Sequence, residues 1–269
     1  MICAYERHLR AAEKSHKTIY ARVKLLQRLN DELPWGLAFA STEELEDFIG
    51  SGDWSSWTRR TYGNHIRSFY KWADRRWLDG NPTADMAKQR RPAGVPNPVS
   101  DDQLATALDV SPEPWLTGIH LAAFQGMRVS ELAGVHREDV TEDATRIRVA
   151  KGGDPESVDT HPMVWELLRD RPPGPVCRRP NGKPAPVGWF TDNERAFFDS
   201  VGLQKVTMHR FRHWFGTKLL NEGNDLRTVQ EALRHKSVAS TQNYTFVAGG
   251  QRRLAIRSLP APTRRPQEH

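Results

Sequence analysis

The sequence predicts a mainly α-helical protein with a small β-sheet, arranged as a helical domain followed by an α+β domain. Three observations carry this reading. Apolar residues recur at three- and four-residue intervals through most of the chain, and a single short stretch alternates polar and apolar instead. Residues 89–98 break both patterns with basic residues and three prolines.

Ile19, Val23, Leu26 and Leu29 predict an amphipathic helix over residues 16–33, ended by Pro34 and preceded by a shorter helix. Ser41 with Glu44 three residues later is a capping box, and Leu45, Phe48 and Ile49 form the stripe behind it. From Trp57 to Trp77, Tyr62, Ile66, Phe69 and Ala73 make one face and Arg60, Asn64, Arg67 and Lys71 the opposite one, with Gly80-Asn81-Pro82 as the stop. Residues 1–88 therefore read as a small all-helical domain and 89–98 as an extended linker.

Ser100 and Gln103 form a second capping box, opening a helix with Leu104 and Leu108. A helix over Pro114–Phe124 runs into Gly126, which permits a sharp turn before Arg128, and Ser130 is positioned to cap the helix that follows. Residues 146–150 alternate polar and apolar, so with residues 156–160 they predict a β-hairpin carrying Lys151 near its tip. Helices are expected over Val164–Arg169 and residues 187–200, separated by a Pro/Gly-rich surface loop over Pro172–Pro186. The second domain extends over residues 99–259, with Leu254, Ile256 and Leu259 near its end and a Pro/Arg-rich tail over 260–269. No internal repeat is present.

The formal charge of +6 over 269 residues favours a polyanionic partner without saying which. No run of eighteen apolar residues occurs and no charged-then-apolar leader follows Met1, so the expectation is a cytoplasmic protein without a membrane span. Cys3 and Cys177 lie far apart and have no metal-ligand spacing, which argues against a disulfide framework or zinc knuckle.

The chemistry concentrates in residues 205–247. His209 and Arg212 are three apart, so on a helix they share a face and can converge on one anion, while Phe211, Phe215 and Leu219 form a core-facing stripe. His235 follows the short periodic segment of Leu226, Val229 and Leu233, and Tyr244 comes nine residues later. Together with the box around Arg128 and Glu131, AAFQGMRVSELAGVHREDV, this ordered set resembles the tyrosine recombinases, also called phage-integrase-type recombinases.

The resemblance implies a helical core-binding domain joined to an α+β catalytic domain. It also implies site-specific DNA recombination, the integration or excision of a mobile element, through a 3′-phosphotyrosyl intermediate. Tyr244 would be the nucleophile, Arg128, Arg212 and His235 the phosphate clamps, His209 the base and Lys151 the acid, with Glu131 in support. The strand after Lys151 is acidic where the family has a basic residue. DNA contacts fall to Arg59, Arg60, Asn64, Arg67, Lys71, Arg90 and Arg91. The implied partner is double-stranded DNA bound by a homotetramer on two sites, with a Holliday junction between them, residues 250–259 exchanged between protomers, and a monomer or weak oligomer without DNA. An accessory directionality factor is left open. No cofactor and no metal are implied. The expected absence of an arm-binding domain points to a short integrase or a Xer-like resolvase, with the integrase slightly preferred.

Rival readings meet specific obstacles. His209 and His213 have zinc-protease spacing, but Arg210 replaces the required glutamate and Arg212 adds positive charge. A non-catalytic DNA-binding regulator would fit the helix-turn-helix cadence from Leu226 to Thr241, yet needs no polar set converging on one phosphate. A type IB topoisomerase shares the catalytic set but not the compact two-domain layout.

Overall fold

The computed structural model describes residues 1–74, 76–90, 96–148 and 156–234. The chain divides into two compact units, Met1–Ala93 and Gly94–His269.

The first unit holds four helices: α1 (Ile2–Ala11), α2 (His16–Glu32), α3 (Thr42–Ser51) and α4 (Ser56–Ala73). Their starts are chemically marked. Ser15 and Ser55 accept from the backbone of Thr18 and Thr58, and Ser41 with Glu44 forms the expected reciprocal box. Leu26, Leu29, Leu45, Ile66 and Phe69 are fully buried, each contributing about 1.5–3 kcal/mol of apolar burial. Tyr70 is buried with them and donates its hydroxyl proton to the Leu37 carbonyl at 2.9 Å, so a polar group enters this core without going unpaired.

Helix α4 ends earlier than its sequence pattern extends. Asp74 turns extended while its N–H still bonds the Tyr70 carbonyl, so the helix stops at Ala73 rather than at Gly80-Asn81-Pro82.

The second unit is built on α5 (Asp101–Val110), α6 (Trp115–Gln125), the single turn α7 (Val129–Leu132), strands β1 (Ala144–Ile147) and β2 (Glu156–Asp159), α8 (Pro162–Leu168), α9 (Val187–Ser200), α10 (Met208–Asn221) and α11 (Leu226–Ala232). Helix α6 is buried almost all round, including Ile119, Leu121, Ala122 and Ala123, as befits a helix at the centre of a core. Helix α10 packs along it. Trp115 anchors the other side, lying flat on Phe197 at 4.7 Å and edge-on to Phe190 at 5.3 Å. The strands pair antiparallel as expected, with Ala144 opposite Asp159 and Ile147 opposite Glu156, although the first strand covers Ala144–Ile147 rather than starting at residue 146, and the tip expected at Lys151 lies outside the described residues.

Three expectations need correction. The helix after Gly126 is capped by Arg128, not Ser130: Arg128 is the extended residue, and its N–H donates to the Glu131 carboxylate at 2.9 Å. The loop over Pro172–Pro186 is not wholly superficial, because Val176, Cys177 and Ala185 are buried in the core. Of the expected α10 stripe only Phe211 reaches that core; Phe215 and Leu219 are half-buried against a smaller cluster of Leu220, Val229 and Leu233. Among the described residues no helix is long and apolar enough to cross a membrane.

Candidate active site

Helix α6 ends because Gly126 takes a left-handed conformation at φ +59°, and the chain turns back beneath α10. A side chain could not replace its hydrogen, since a Cβ there would lie 2.6 Å from the Phe215 ring. This turn delivers Arg128 to the start of α7 and leaves the Gly126 carbonyl facing α10.

Arg212 comes to that carbonyl from α10. It is 1% exposed, donates to the carbonyls of Gly126 and Leu233, the latter at 2.6 Å, and lies 3.8 Å from the Glu131 carboxylate. Arg128 donates to Glu131 Oε1 at 2.5 Å and to the Arg234 carbonyl at 3.2 Å, with 28% of its side chain still exposed. Arg234 donates to Glu131 Oε2 at 2.6 Å. Three guanidiniums thus surround one buried carboxylate. Burial pushes the Glu131 carboxyl up, but Arg234 first, then the backbone N–H and guanidinium of Arg128, outweigh it and hold the group below the ordinary carboxylate range.

His209 sits one turn before Arg212, and its ring meets His213 edge-on at 4.4 Å. Its pKa is lowered by desolvation and by the charges of Arg212 and Arg128. Because the residue as a whole is exposed, the two cations are the firmer cause. The imidazole is therefore biased toward its neutral, proton-accepting form beside a positive centre.

The structure brings together Arg128, Glu131, His209 and Arg212 from the sequence-derived set. Sharing a helix face did not give His209 and Arg212 the same environment: Arg212 is locked inward on carbonyls and His209 looks outward. Lys151, His235 and Tyr244 lie outside the described residues, as do Arg91 and residues 250–259. Two contributors escaped the sequence reading. Arg234 follows the last helical turn, where no periodicity singles it out. Gln125 is 2% exposed and donates to Thr145 Oγ1 at 2.8 Å and the Asp159 carbonyl at 3.2 Å, fixing the hairpin to the end of α6.

The basic face of α4 is partly engaged within its own unit. Arg67 donates to the carbonyls of Ala87 and Met86 and to Gln89 Oε1, Arg60 to the Gln89 carbonyl, and Arg59 to the Gly52 carbonyl. Asn64, Lys71 and Arg90 are exposed.

Comparison with known proteins follows the same lines. The family model described as "Phage integrase family" matches residues 189–249. The tyrosine recombinase XerC of Rhodospirillum centenum is 32% identical over 241 residues, which cover 79% of this chain and 68% of that protein. XerC of Mesorhizobium japonicum is 29% identical, covering 68% and 65% respectively. The chain thus spans about two thirds of the length of these relatives. In fold it is similar to a lambda integrase(75-356) dimer bound to a COC′ core site, with a TM-score of 0.76 at 16% identity over 90% of this chain and 93% of that one.

Proposed function

Because this chain belongs to the tyrosine recombinase family, the enzymes of site-specific DNA recombination, we propose that it cuts and rejoins duplex DNA through Tyr244, with Arg128 and Arg212 as the phosphate clamps. The buried centre of Arg128, Arg212 and Glu131 carries this reading. A phosphodiester under attack concentrates negative charge on its non-bridging oxygens, and planar guanidiniums already fixed in place stabilise that charge without reorganising. Removing one such donor typically raises the barrier by about 2.7–4 kcal/mol.

In the forward step the Tyr244 oxygen attacks phosphorus and its proton passes to His209. The bond to the 5′ oxygen breaks, and Lys151 protonates that oxygen as it leaves. The DNA 3′ end is then held as a phosphotyrosyl ester. A 5′ hydroxyl from another strand reverses the step, returning the proton and freeing Tyr244, so rejoining needs no nucleotide. His235 supplies a further donor to the phosphate. The lowered pKa of His209 supports this role in one respect, that the imidazole stays neutral and free to take a proton while the arginines remain charged.

The helices of the first unit, residues 89–98 as linker, and the second unit are each read as contacting DNA. Arg59, Arg60, Asn64, Arg67, Lys71, Arg90 and Arg91 are the candidate contacts. Two duplexes and four protomers, exchanging residues 250–259, make the assembly in which strands swap, and an accessory factor can set its direction. Integration or excision of a mobile element is the first reading. The identity with XerC proteins favours a Xer-like resolvase as the second.

The test is covalent capture. Incubated in EDTA with nicked duplexes from DNA flanking its own gene, the protein is expected to form an SDS-resistant adduct that Tyr244→Phe abolishes. Specific binding without an adduct would mark a DNA-binding regulator instead, and an adduct persisting in Tyr244→Phe would reject Tyr244 as the nucleophile.

A further inference from the structure

Arg234 has no assigned step in that reaction, yet it is held in an unusual way. It is a non-glycine residue at φ +52°, the left-handed region that side chains disfavour. Its side chain is 8% exposed. Nη2 donates to Glu131 Oε2 at 2.6 Å and to the Gly126 carbonyl at 3.4 Å, while Nε lies 3.5 Å from the carboxylate of Glu156, the first residue of β2. Its own carbonyl accepts from Arg128 Nη2 at 3.2 Å. One residue therefore touches the end of α6, the α7 turn, the return strand of the hairpin and a clamping guanidinium.

We propose that Arg234 is a positioning residue: it holds Glu131 so that this carboxylate orients Arg128 and Arg212 without cancelling their field, and it moors β2 to the same centre. The proposal rests on reading that centre as the phosphate clamp. With only Arg128 and Arg212 as partners, the buried negative charge of Glu131 would offset much of what the pair presents to a phosphate. Arg234 takes up Oε2 and supplies a third positive charge, leaving an excess for the substrate. Its carbonyl fixes one arm of the Arg128 fork, so the planar group is oriented before DNA arrives. A residue needed here only to turn the chain would be better served by glycine, for which φ +52° is unstrained.

Single-turnover adduct formation by the full chain, on the same nicked duplexes, tests this with Arg234→Gly and Arg234→Lys beside the wild type. DNA affinity and melting temperature are measured in parallel. Arg234→Gly is expected to form adduct about tenfold more slowly, a part of the 10²–10³-fold loss seen when a direct donor is removed. Its melting temperature is expected to fall, since the buried Glu131 loses a cation and the relaxed backbone offsets only part of that loss, while its DNA affinity should fall by less than its rate. Arg234→Lys keeps the charge without the fork and should fall between. Equal rates for all three proteins would overturn the proposal. So would a slower Arg234→Gly whose loss is matched by weaker DNA binding and is not rescued by lysine. A wild type that forms no adduct would instead sink the phosphotyrosine reading, and this proposal with it.

Discussion

Helix α4 in the first unit and the junction of α6, α7 and α10 in the second each gather three arginines, and the two sets are partnered differently. Arg59, Arg60 and Arg67 donate to neutral acceptors, chiefly carbonyls of residues 52 and 86–89. Arg128, Arg212 and Arg234 share a carboxylate that is 3% exposed. Neutral acceptors leave each guanidinium with its full charge at the surface, where phosphates can be attracted over a distance. A buried carboxylate gives up part of that charge in exchange for fixed geometry, which is what a transition state needs. The same residue type thus keeps its charge in one unit and gains fixed geometry in the other.

The sharpest way to break this contrast is to remove the carboxylate. Glu131→Ala leaves three guanidiniums crowded without their shared counter-charge, two of them nearly buried, and is expected to cost about 3–5 kcal/mol in urea unfolding. Hydrogen exchange should place the loss in α6, α7 and α10 and leave α4 protected. A loss under 1 kcal/mol would mean that the cluster contributes little to the fold.

A smaller change is expected on α4. Arg67→Ala removes donors to partly exposed carbonyls, and a cost of about 1–2 kcal/mol should appear in the first unit alone. If Arg67 also meets a phosphate, the slope of log affinity against log salt falls by about 0.9. An unchanged slope would restrict Arg67 to holding residues 86–89.

The smallest effect is a shift in pH dependence. The His209 pKa is lowered, so a reaction that needs its neutral form should keep its rate below the ordinary imidazole value of about 6.5 and lose it as pH falls through the lowered value. Arg128→Gln removes one of the opposing charges and should move this acid limb upward, at a rate already reduced by loss of the clamp. A limb that stays in place would separate His209 from the proton transfer.

Much of this was legible because it is local. The capping boxes at Ser41 and Ser100 are three-residue patterns whose bonds form wherever the helix forms, and both are present. Arg128, His209 and Arg212 could be picked out because ordered motifs fix residue type and spacing. Where the first reading went wrong, a nonlocal contact decided the outcome. Phe215 has the spacing of a core residue but faces the cluster shared with α11, and Ser130 has the chemistry of a cap but stands two residues beyond Arg128, which holds the cap position.

The sequence by itself determined the helix pattern, the hairpin, the partner class and the identity of the charged groups, since these depend on periodicity, composition and order along one chain. Only the tertiary structure decided which charges meet. Glu131 and Arg234 are 103 residues apart and Gly126 and Arg212 are 86 apart, and no local pattern encodes their contact. Packing α10 along α6 closes those distances and excludes water, and a buried carboxylate then has to find its cations.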